Sequence, residues 1–521
     1  MMVNIAAAKC IGIDAVRVTV EITIDKGIGI HLVGLADTAV KESLLRTVTA
    51  LQSCGFHIPG RKIVINLAPA DLQKNGSGYD LPIATGIIAA SGQRELPLCG
   101  RFIVMGELGL DGSLRDIPGA LPFAMLAAQE GFDGVILPPG SALEAVELGE
   151  TAVYGANNLG EALRILEGKE DCSALLAENS QLYHKLRRAR MHAPKREEGM
   201  DFADIIGQEG AKRGMEIAAA GGHNIALIGP PGSGKSSLAK ALAGILPPMT
   251  REEALVTSKI YSIAGKGDLR LGLIRRRPIR APHYSASVPA IVGGGGGENI
   301  FPGEISLAHN GVLFLDEFGQ MPKGVIEALR GPMEDRYVTV SRLRAKVRYP
   351  ASFMLVAASN PCPCGYWGEG DRCTCTPSQR LAYLSKLSGP ILDRIDLQIH
   401  MHEVASGKIM GSQKGEPGRE VAQRVLHARK VQQLRFEKEG ISTNAEMNNR
   451  LIEKYCPLSK ECRATMETIM SGTGLSLRAY FRIIKLARTI ADLAGAPDIL
   501  PVHLSEAASY RFLDRKMIME L

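Results

Sequence analysis

The chain has 521 residues, 45% hydrophobic and 22% charged, and 61 Lys and Arg against 55 Asp and Glu give a formal net charge of +6. That length predicts about three domains, each large enough for its own core, with the composition of an ordinary soluble globular protein. No apolar run can span a bilayer and no leader pattern opens the chain, so a cytoplasmic protein without a membrane partner is expected, and its ten cysteines argue for local metal-holding thiols over a disulfide framework.

Up to about Gly168, short β-rich runs (Ala15 to Ile24, Lys62 to Leu67, Phe102 to Met105, Gly134 to Leu137) alternate with helically spaced ones (Thr38 to Gln52, Leu81 to Ala90, Leu121 to Gln129). This predicts an N-terminal domain of mixed helix and strand over 1–168. Residues 169–200 lose apolar periodicity and carry Lys185, Arg187, Arg188, Arg190, Lys195 and Arg196. They read as a basic linker, its charge serving either solvation or nucleic-acid contact. From 201 to 411, strands and helices alternate as in a parallel sheet covered by helices. After Gly411-Ser412 the remainder, 412–521, reads as helices: Arg419 to Glu439, Ala445 to Tyr455, Lys460 to Ser471, Leu477 to Ala494 and Leu504 to Leu513.

The central segment carries the chemistry. Ile225 to Ile228 reads as a buried strand, followed by Gly229-Pro230-Pro231-Gly232-Ser233-Gly234-Lys235-Ser236 and a helix opening at Ser237. That spacing is a phosphate-binding loop: backbone N–H groups at a helix N-terminus face a polyphosphate, and Lys235 reaches the β/γ-phosphates. Ser236 is placed to ligate Mg²⁺. Val312 to Leu315 reads as a second apolar strand, ending in Asp316, expected to hold the same metal, and Glu317, expected to polarise the attacking water. ATP and Mg²⁺ are the expected ligands. A third strand, Phe353 to Ala358, delivers Asn360 to the γ-phosphate. In Ile391 to Leu397, Arg394 reads as a salt-bridged surface residue or as a finger reaching a neighbouring subunit's ATP. Arg478 opens a helix behind Ser476 and is expected to reach its own subunit's ATP from the helical lid.

Two basic stretches are candidates for DNA. Arg270, Arg275, Arg276, Arg277 and Arg280 precede the glycines from Gly293 to Gly297, which would let a loop move. Tyr337 to Tyr349 carries Arg342, Arg344, Lys346 and Arg348 at period two, predicting one basic face of a strand. Neither interleaves aromatics, so backbone tracking with little sequence preference is expected. Cys362, Cys364, Cys373 and Cys375 form C-x-C, a glycine-containing spacer and C-x-C; four thiolates predict a closed zinc site, with redox-labile thiols as the alternative.

The order of phosphate loop, Asp-Glu strand, Asn-Pro strand, Asp-Arg-Ile-Asp and Ser-Leu-Arg helix resembles the AAA+ ATPases. Within them it is similar to the branch of magnesium-chelatase motor subunits and MCM-type helicases, which Pro302-Gly303-Glu304-Ile305-Ser306-Leu307-Ala308-His309-Asn310-Gly311 also resembles. Over its length the chain most resembles the ComM/YifB family of magnesium-chelatase-like ATPases. The resemblance implies Walker A at Lys235 and Ser236, Walker B at Asp316 and Glu317, sensor 1 at Asn360, a trans finger at Arg394 and sensor 2 at Arg478. It also implies a hexameric ring, basic channel loops at the two Arg-rich stretches, and single-stranded and branched DNA as substrate. Branch migration of recombination intermediates during natural transformation, with recombination proteins as partners, is the function it implies. A chelatase-type motor that remodels a protein partner in metal insertion is the rival reading. A third class enters with Gly76 to Ala84 and Gly106 to Gly112, which resemble the proteolytic domain of Lon-type peptidases. There the nucleophile position falls on Gly78 and the lysine position near Pro122, so a non-proteolytic relative is expected.

Overall fold

The structure is a computed structural model that describes residues 2–35, 37–74, 76–192, 200–266, 272–295, 300–341, 346–384, 389–404, 415–473 and 475–511. Its first sheet begins with a hairpin: Met2–Ile11 and Asp14–Asp25 pair antiparallel from Met2 opposite Thr23 to Ile11 opposite Asp14. Gly12 makes the turn, with a φ of 64° that suits a residue lacking Cβ. Seven strands follow the order Ile30–Val33, Lys62–Ala68, Asp14–Asp25, Met2–Ile11, Phe102–Val104, Gly134–Leu137, Ala152–Gly155. The hairpin and its Lys62–Ala68 neighbour pair antiparallel; the other pairings are parallel. Helix Asp80–Ala90 lies so close on this sheet that a Cβ on Gly86 would sit 2.4 Å from Ile22 Cδ1. Three of the strands, Met2–Ile11, Ile30–Val33 and Ala152–Gly155, have no counterpart in the sequence reading. Met2–Ile11 contains Ala6, Ala7 and Ala8, which carry little strand propensity, and Ile30–Val33 is only four residues long. Within the segment expected as a linker, Gln181–His192 is a helix.

The second sheet has five strands, all parallel, in the order Ile279–Arg280, Val312–Leu315, Met354–Ser359, Ile225–Ile228, Leu397–His400. Residues 225–228, 312–315 and 354–359 are buried throughout, which is why these strands read as unbroken apolar runs. Helices Glu209–Gly221 and Lys235–Ile245 share a hydrophobic core with this sheet and with the C-terminal helices Gly418–Arg435, Asn449–Tyr455, Leu477–Leu493 and Pro501–Ser509. Polar ties accompany that packing: Arg435 bonds Asp492, and Gln432 donates to Ala220 O at 3.0 Å. The expected boundary at 411–412 lies outside the described residues.

The N-terminal domain docks on the helix Arg251–Ala264 of the central one. Ala254 and Leu273 belong to the N-terminal hydrophobic core, Gly119 N donates to Ser262 O at 3.1 Å, and Lys259 pairs with Asp14. Among the described residues no helix is long and apolar enough to cross a membrane.

Candidate nucleotide site and cysteine cluster

The phosphate loop leaves the C-terminal end of Ile225–Ile228 between two neighbouring strands. A Cβ on Gly229 would lie 2.4 Å from Met401 O, so only glycine allows the loop to leave there. Gly232 and Gly234 hold φ of 81° and 90°, the left-handed turns that curl the loop back on itself. Gly234 then caps helix Lys235–Ile245, and the helix N-terminus faces the loop. Lys235 folds over it: Nζ donates to Gly229 O at 2.6 Å, Pro230 O at 2.8 Å and Asn360 Oδ1 at 3.2 Å. Burial pushes its pKa below the usual lysine value. The Ser233 hydroxyl is buried with no hydrogen-bond partner among the described residues, a polar group left for a ligand to satisfy.

Two more strands bring the acids and the amide alongside. Ser236 Oγ donates to Asp316 Oδ2 at 2.8 Å, which unites the two residues expected to share Mg²⁺. Glu317 follows in the left-handed region at φ 50°, its carboxylate exposed and its N–H donating to Asp316 Oδ1 at 2.9 Å. Buried Phe318 anchors the turn behind it. Lys235, Ser236, Asp316, Glu317 and Asn360 therefore converge on one end of the sheet. Ser237 lies in the first turn of the helix. Gln208 was not singled out in the sequence, yet its Nε2 donates to Ser233 O at 3.0 Å and His402 O at 2.6 Å, tying the loop to the neighbouring strand end. A lone glutamine before a helix offers no motif by which to find it.

Arg394 and Arg478 stand at the other end. Asn224, which precedes the phosphate-loop strand, donates through Nδ2 to Arg394 O at 3.1 Å. The intervening four-residue strand spans about 13 Å, and Arg394 is therefore separated from its own phosphate loop by the depth of the sheet. Its guanidinium is mostly buried and pairs with Glu334 at 2.8 Å. Arg478, exposed, lies 3.9 Å from Asp393. This corrects the expectation that Arg478 reaches its own subunit's ATP: its helix Leu477–Leu493 packs beside the Asp393–Asp396 turn at the far end of the strands, where Arg482 also binds Asp396.

The basic stretches divide. Arg277 does not lie free for DNA: it forms a bidentate pair with Glu253 at 2.8 and 3.1 Å and also donates to Pro247 O and Asn310 O. Arg280 is similarly committed to Glu304. Arg275 and Arg276 are exposed, Arg275 lying 3.7 Å from Glu147 of the N-terminal domain. Tyr337 to Tyr349 is not one strand with a single basic face. It is a hairpin, Tyr337–Ser341 paired antiparallel with Lys346–Pro350; Lys346 and Arg348 project outward on the second strand while Arg342 and Arg344 lie outside the described residues, as does Arg270. A period of two fixes a face only within one strand, and the described residues of this stretch form two. Arg348 stacks on Tyr337, its guanidinium carbon 3.2 Å from the ring centroid.

The four clustered cysteines come together. Their sulfurs all lie within 4.8 Å of one another, with Cys362–Cys364 at 3.3 Å, Cys364–Cys373 at 3.7 Å and Cys362–Cys373 at 3.9 Å. Four thiolates on a tetrahedral zinc with ~2.3 Å bonds stand about 3.8 Å apart, so the donor set and its spacing fit that ion. A backbone N–H of Tyr366 draws the Cys364 thiol down to about 6, while burial pushes Cys362 up to about 12, so in the metal-free cluster the charge settles on Cys364. In the N-terminal domain, Ser77 Oγ donates to Glu107 and no lysine stands in helix Ala120–Glu130, while a Cβ on Gly78 would meet Met105 Cε at 3.0 Å.

Three family models match the chain in succession: Subunit ChlI of Mg-chelatase over 20–141, Magnesium chelatase, subunit ChlI, over 201–409, and Magnesium chelatase, subunit ChlI C-terminal, over 415–511. The protein named YifB of Salmonella typhimurium is 42% identical over 98% of this chain and 96% of its own. The competence protein ComM of Haemophilus influenzae is 41% identical over 97% and 96%. The magnesium-chelatase 38 kDa subunit of Rhodobacter capsulatus is 24% identical over 59% of this chain and 85% of its own.

Proposed function

The chain belongs to the YifB and ComM family of magnesium-chelatase-like proteins, and from that premise we propose that it is an ATP-hydrolysing, ring-forming motor that moves on DNA. The observation that carries the reading is the division of one catalytic set between the two ends of the strands of one sheet. Lys235, Ser236, Asp316, Glu317 and Asn360 meet at the phosphate loop, and Arg394 with Arg478 occupies the opposite end of the strands. A subunit so built offers its arginines to a neighbour's nucleotide.

In this mechanism Lys235 exchanges the Gly229 and Pro230 carbonyls for the β- and γ-phosphates. Ser236 and Asp316 would hold Mg²⁺, which supplies charge neutralisation across those phosphates. Glu317 accepts the proton of the attacking water, and Asn360 orients that water and the γ-phosphate. Arg394 of one subunit, released from Glu334, stabilises charge developing on the next subunit's γ-phosphate. Asn360 lies at the end of Met354–Ser359, the strand that follows the Lys346–Pro350 arm of the basic hairpin, so a change at the γ-phosphate is transmitted to that hairpin. Arg275, Arg276, Lys346 and Arg348 contact phosphates along the strand without reading bases.

The name of the Haemophilus relative links the family to competence, which supports branched recombination intermediates, formed when imported DNA is integrated, as the substrate. The Rhodobacter likeness, reaching 85% of that subunit, favours a second reading, a motor that remodels a protein partner. ATP turnover with and without single-stranded DNA separates the two. The DNA motor predicts stimulation of at least about tenfold that is lost as salt rises; turnover indifferent to DNA at low salt gives the lead to protein remodelling.

A further inference from the structure

The cysteine loop is seated on the phosphate loop. Gly365, three residues after Cys362, holds a φ of 88°, and a Cβ there would lie 2.8 Å from Pro231 Cδ and 3.7 Å from Asn360 Nδ2. No side chain fits between the two loops. Cys362 follows Asn360 by two residues, and Asn360 accepts a hydrogen bond from Lys235 Nζ. The loop thus touches the nucleotide site twice, at Pro231 from above and at Asn360 through the chain. Its other side is fixed to the fold, since Trp367 packs against the apolar core on one face of the second sheet and Arg380 donates to Cys375 O at 3.1 Å. Between those anchors Gly365, Gly368 and Gly370 all hold left-handed φ, so the backbone of the spacer supplies little rigidity of its own. What can make it rigid is the thiol cluster. Cys362 is fully buried, and Cys364 N donates to Cys375 Sγ at 3.4 Å, as backbone amides do toward metal-bound thiolates.

We propose that a zinc ion held by Cys362, Cys364, Cys373 and Cys375 clamps Gly365 against Pro231 and fixes Asn360, so that metal occupancy sets the affinity of the phosphate loop for nucleotide. The proposal rests on the reading of that loop as an ATP site and adds a control to it. The cluster is structural, with four protein ligands and no open position. Its effect is preorganisation: a phosphate loop already curved around the phosphates loses less ordering entropy when nucleotide binds.

The test measures two quantities on the full-length protein, zinc released to a chromophoric chelator after thiol modification and the dissociation constant of a fluorescent ATP analogue. One zinc per chain is expected, and stripping it should weaken nucleotide binding by at least about tenfold, with recovery on adding zinc but not Mg²⁺. Gly365→Ala keeps all four thiols and should keep the zinc, yet it pushes on Pro231 and should weaken nucleotide binding to a comparable degree. Cys373→Ser should lose both. Zinc-free protein that binds the analogue as tightly as the loaded protein overturns the coupling and leaves the ATP reading standing. Loaded protein that binds no nucleotide overturns the ATP reading, and the coupling with it. Protein purified under reducing conditions with no bound metal, and taking up none, overturns the site itself.

Discussion

At Glu317 the backbone is left-handed, φ 50° and ψ 39°, a conformation that costs a residue with a Cβ about 1–2 kcal/mol. Such strain persists where the turn is fixed from outside, here by buried Phe318 and by the Asp316 carboxylate that receives the Glu317 N–H. It keeps the carboxylate turned out to solvent, beside the Ser236–Asp316 pair. Glu317→Gln preserves shape and removes the base, so nucleotide affinity should hold while steady-state turnover falls at least about 100-fold. Undiminished hydrolysis would take Glu317 out of the mechanism. Lys235→Ala should instead abolish binding of the nucleotide. A second residue predicts a pH dependence. His309 is buried, its Nδ1 accepting from Ser352 N at 3.0 Å, and burial pushes its pKa down to about 4. Between about 6.5 and 4 the unfolded chain binds a proton that the folded one refuses, so this group's contribution to stability is lost as pH falls through that window. The difference amounts to roughly 2–3 kcal/mol. In His309→Gln the urea midpoint should vary less between pH 7 and pH 4.5 than in the parent; equal slopes would show that His309 titrates normally.

At the scale of elements, the turn from Asp393 to Asp396 joins the sheet to the C-terminal helices. Asp396 is buried, takes the Asn224 N–H at 3.1 Å, binds Arg482 and lies 3.4 Å from His223, and its neighbour Arg482 holds its carboxyl far below the usual range. Removing this acid strands a half-buried arginine and a buried histidine, so Asp396→Ala should cost about 3 kcal/mol in chemical unfolding. A loss under about 1 kcal/mol would mean the network is dispensable. From the same turn, Arg394→Ala and Lys235→Ala should each be inactive alone and regain turnover when mixed, because each brings the half that the other lacks. No rescue at any mixing ratio would refute completion by a neighbour. Much of this geometry was legible in the sequence: the phosphate loop, the Asp-Glu and Asn-Pro strand ends and the C-x-C pairs are local, and strand–loop–helix order places them at one end of the parallel strands. What was not legible is long-range. Nothing near Arg277 announces Glu253, 24 residues away, and nothing near Arg478 says which end of the strands its helix will meet. Likewise Gly365 looks like any turn glycine until Pro231 is seen against it. The hairpin was missed because Tyr337 to Tyr349 contains none of the glycine, proline or asparagine that marks a turn.

For the whole molecule, a site at one end of the strands and arginines at the other would give the proposed motor a head-to-tail contact between subunits. Such heterologous interfaces close into rings when the rotation permits, and a ring around a strand is what a translocating motor needs. The N-terminal domain takes part through its packing on Arg251–Ala264 and on the basic hairpin, where Gly12 lies against Arg348 O and Ile13 packs near Val347. Any movement of the hairpin with the nucleotide is therefore felt by that domain, which we read as a platform guiding DNA toward the basic loops. The most direct test of the account is strand exchange on a synthetic four-way junction, with ATP, with a non-hydrolysable analogue and with Glu317→Gln protein. A branch-migrating motor separates the junction into duplexes only with ATP and the parent protein. Junctions left intact by a protein that hydrolyses ATP under the same conditions would contradict that reading.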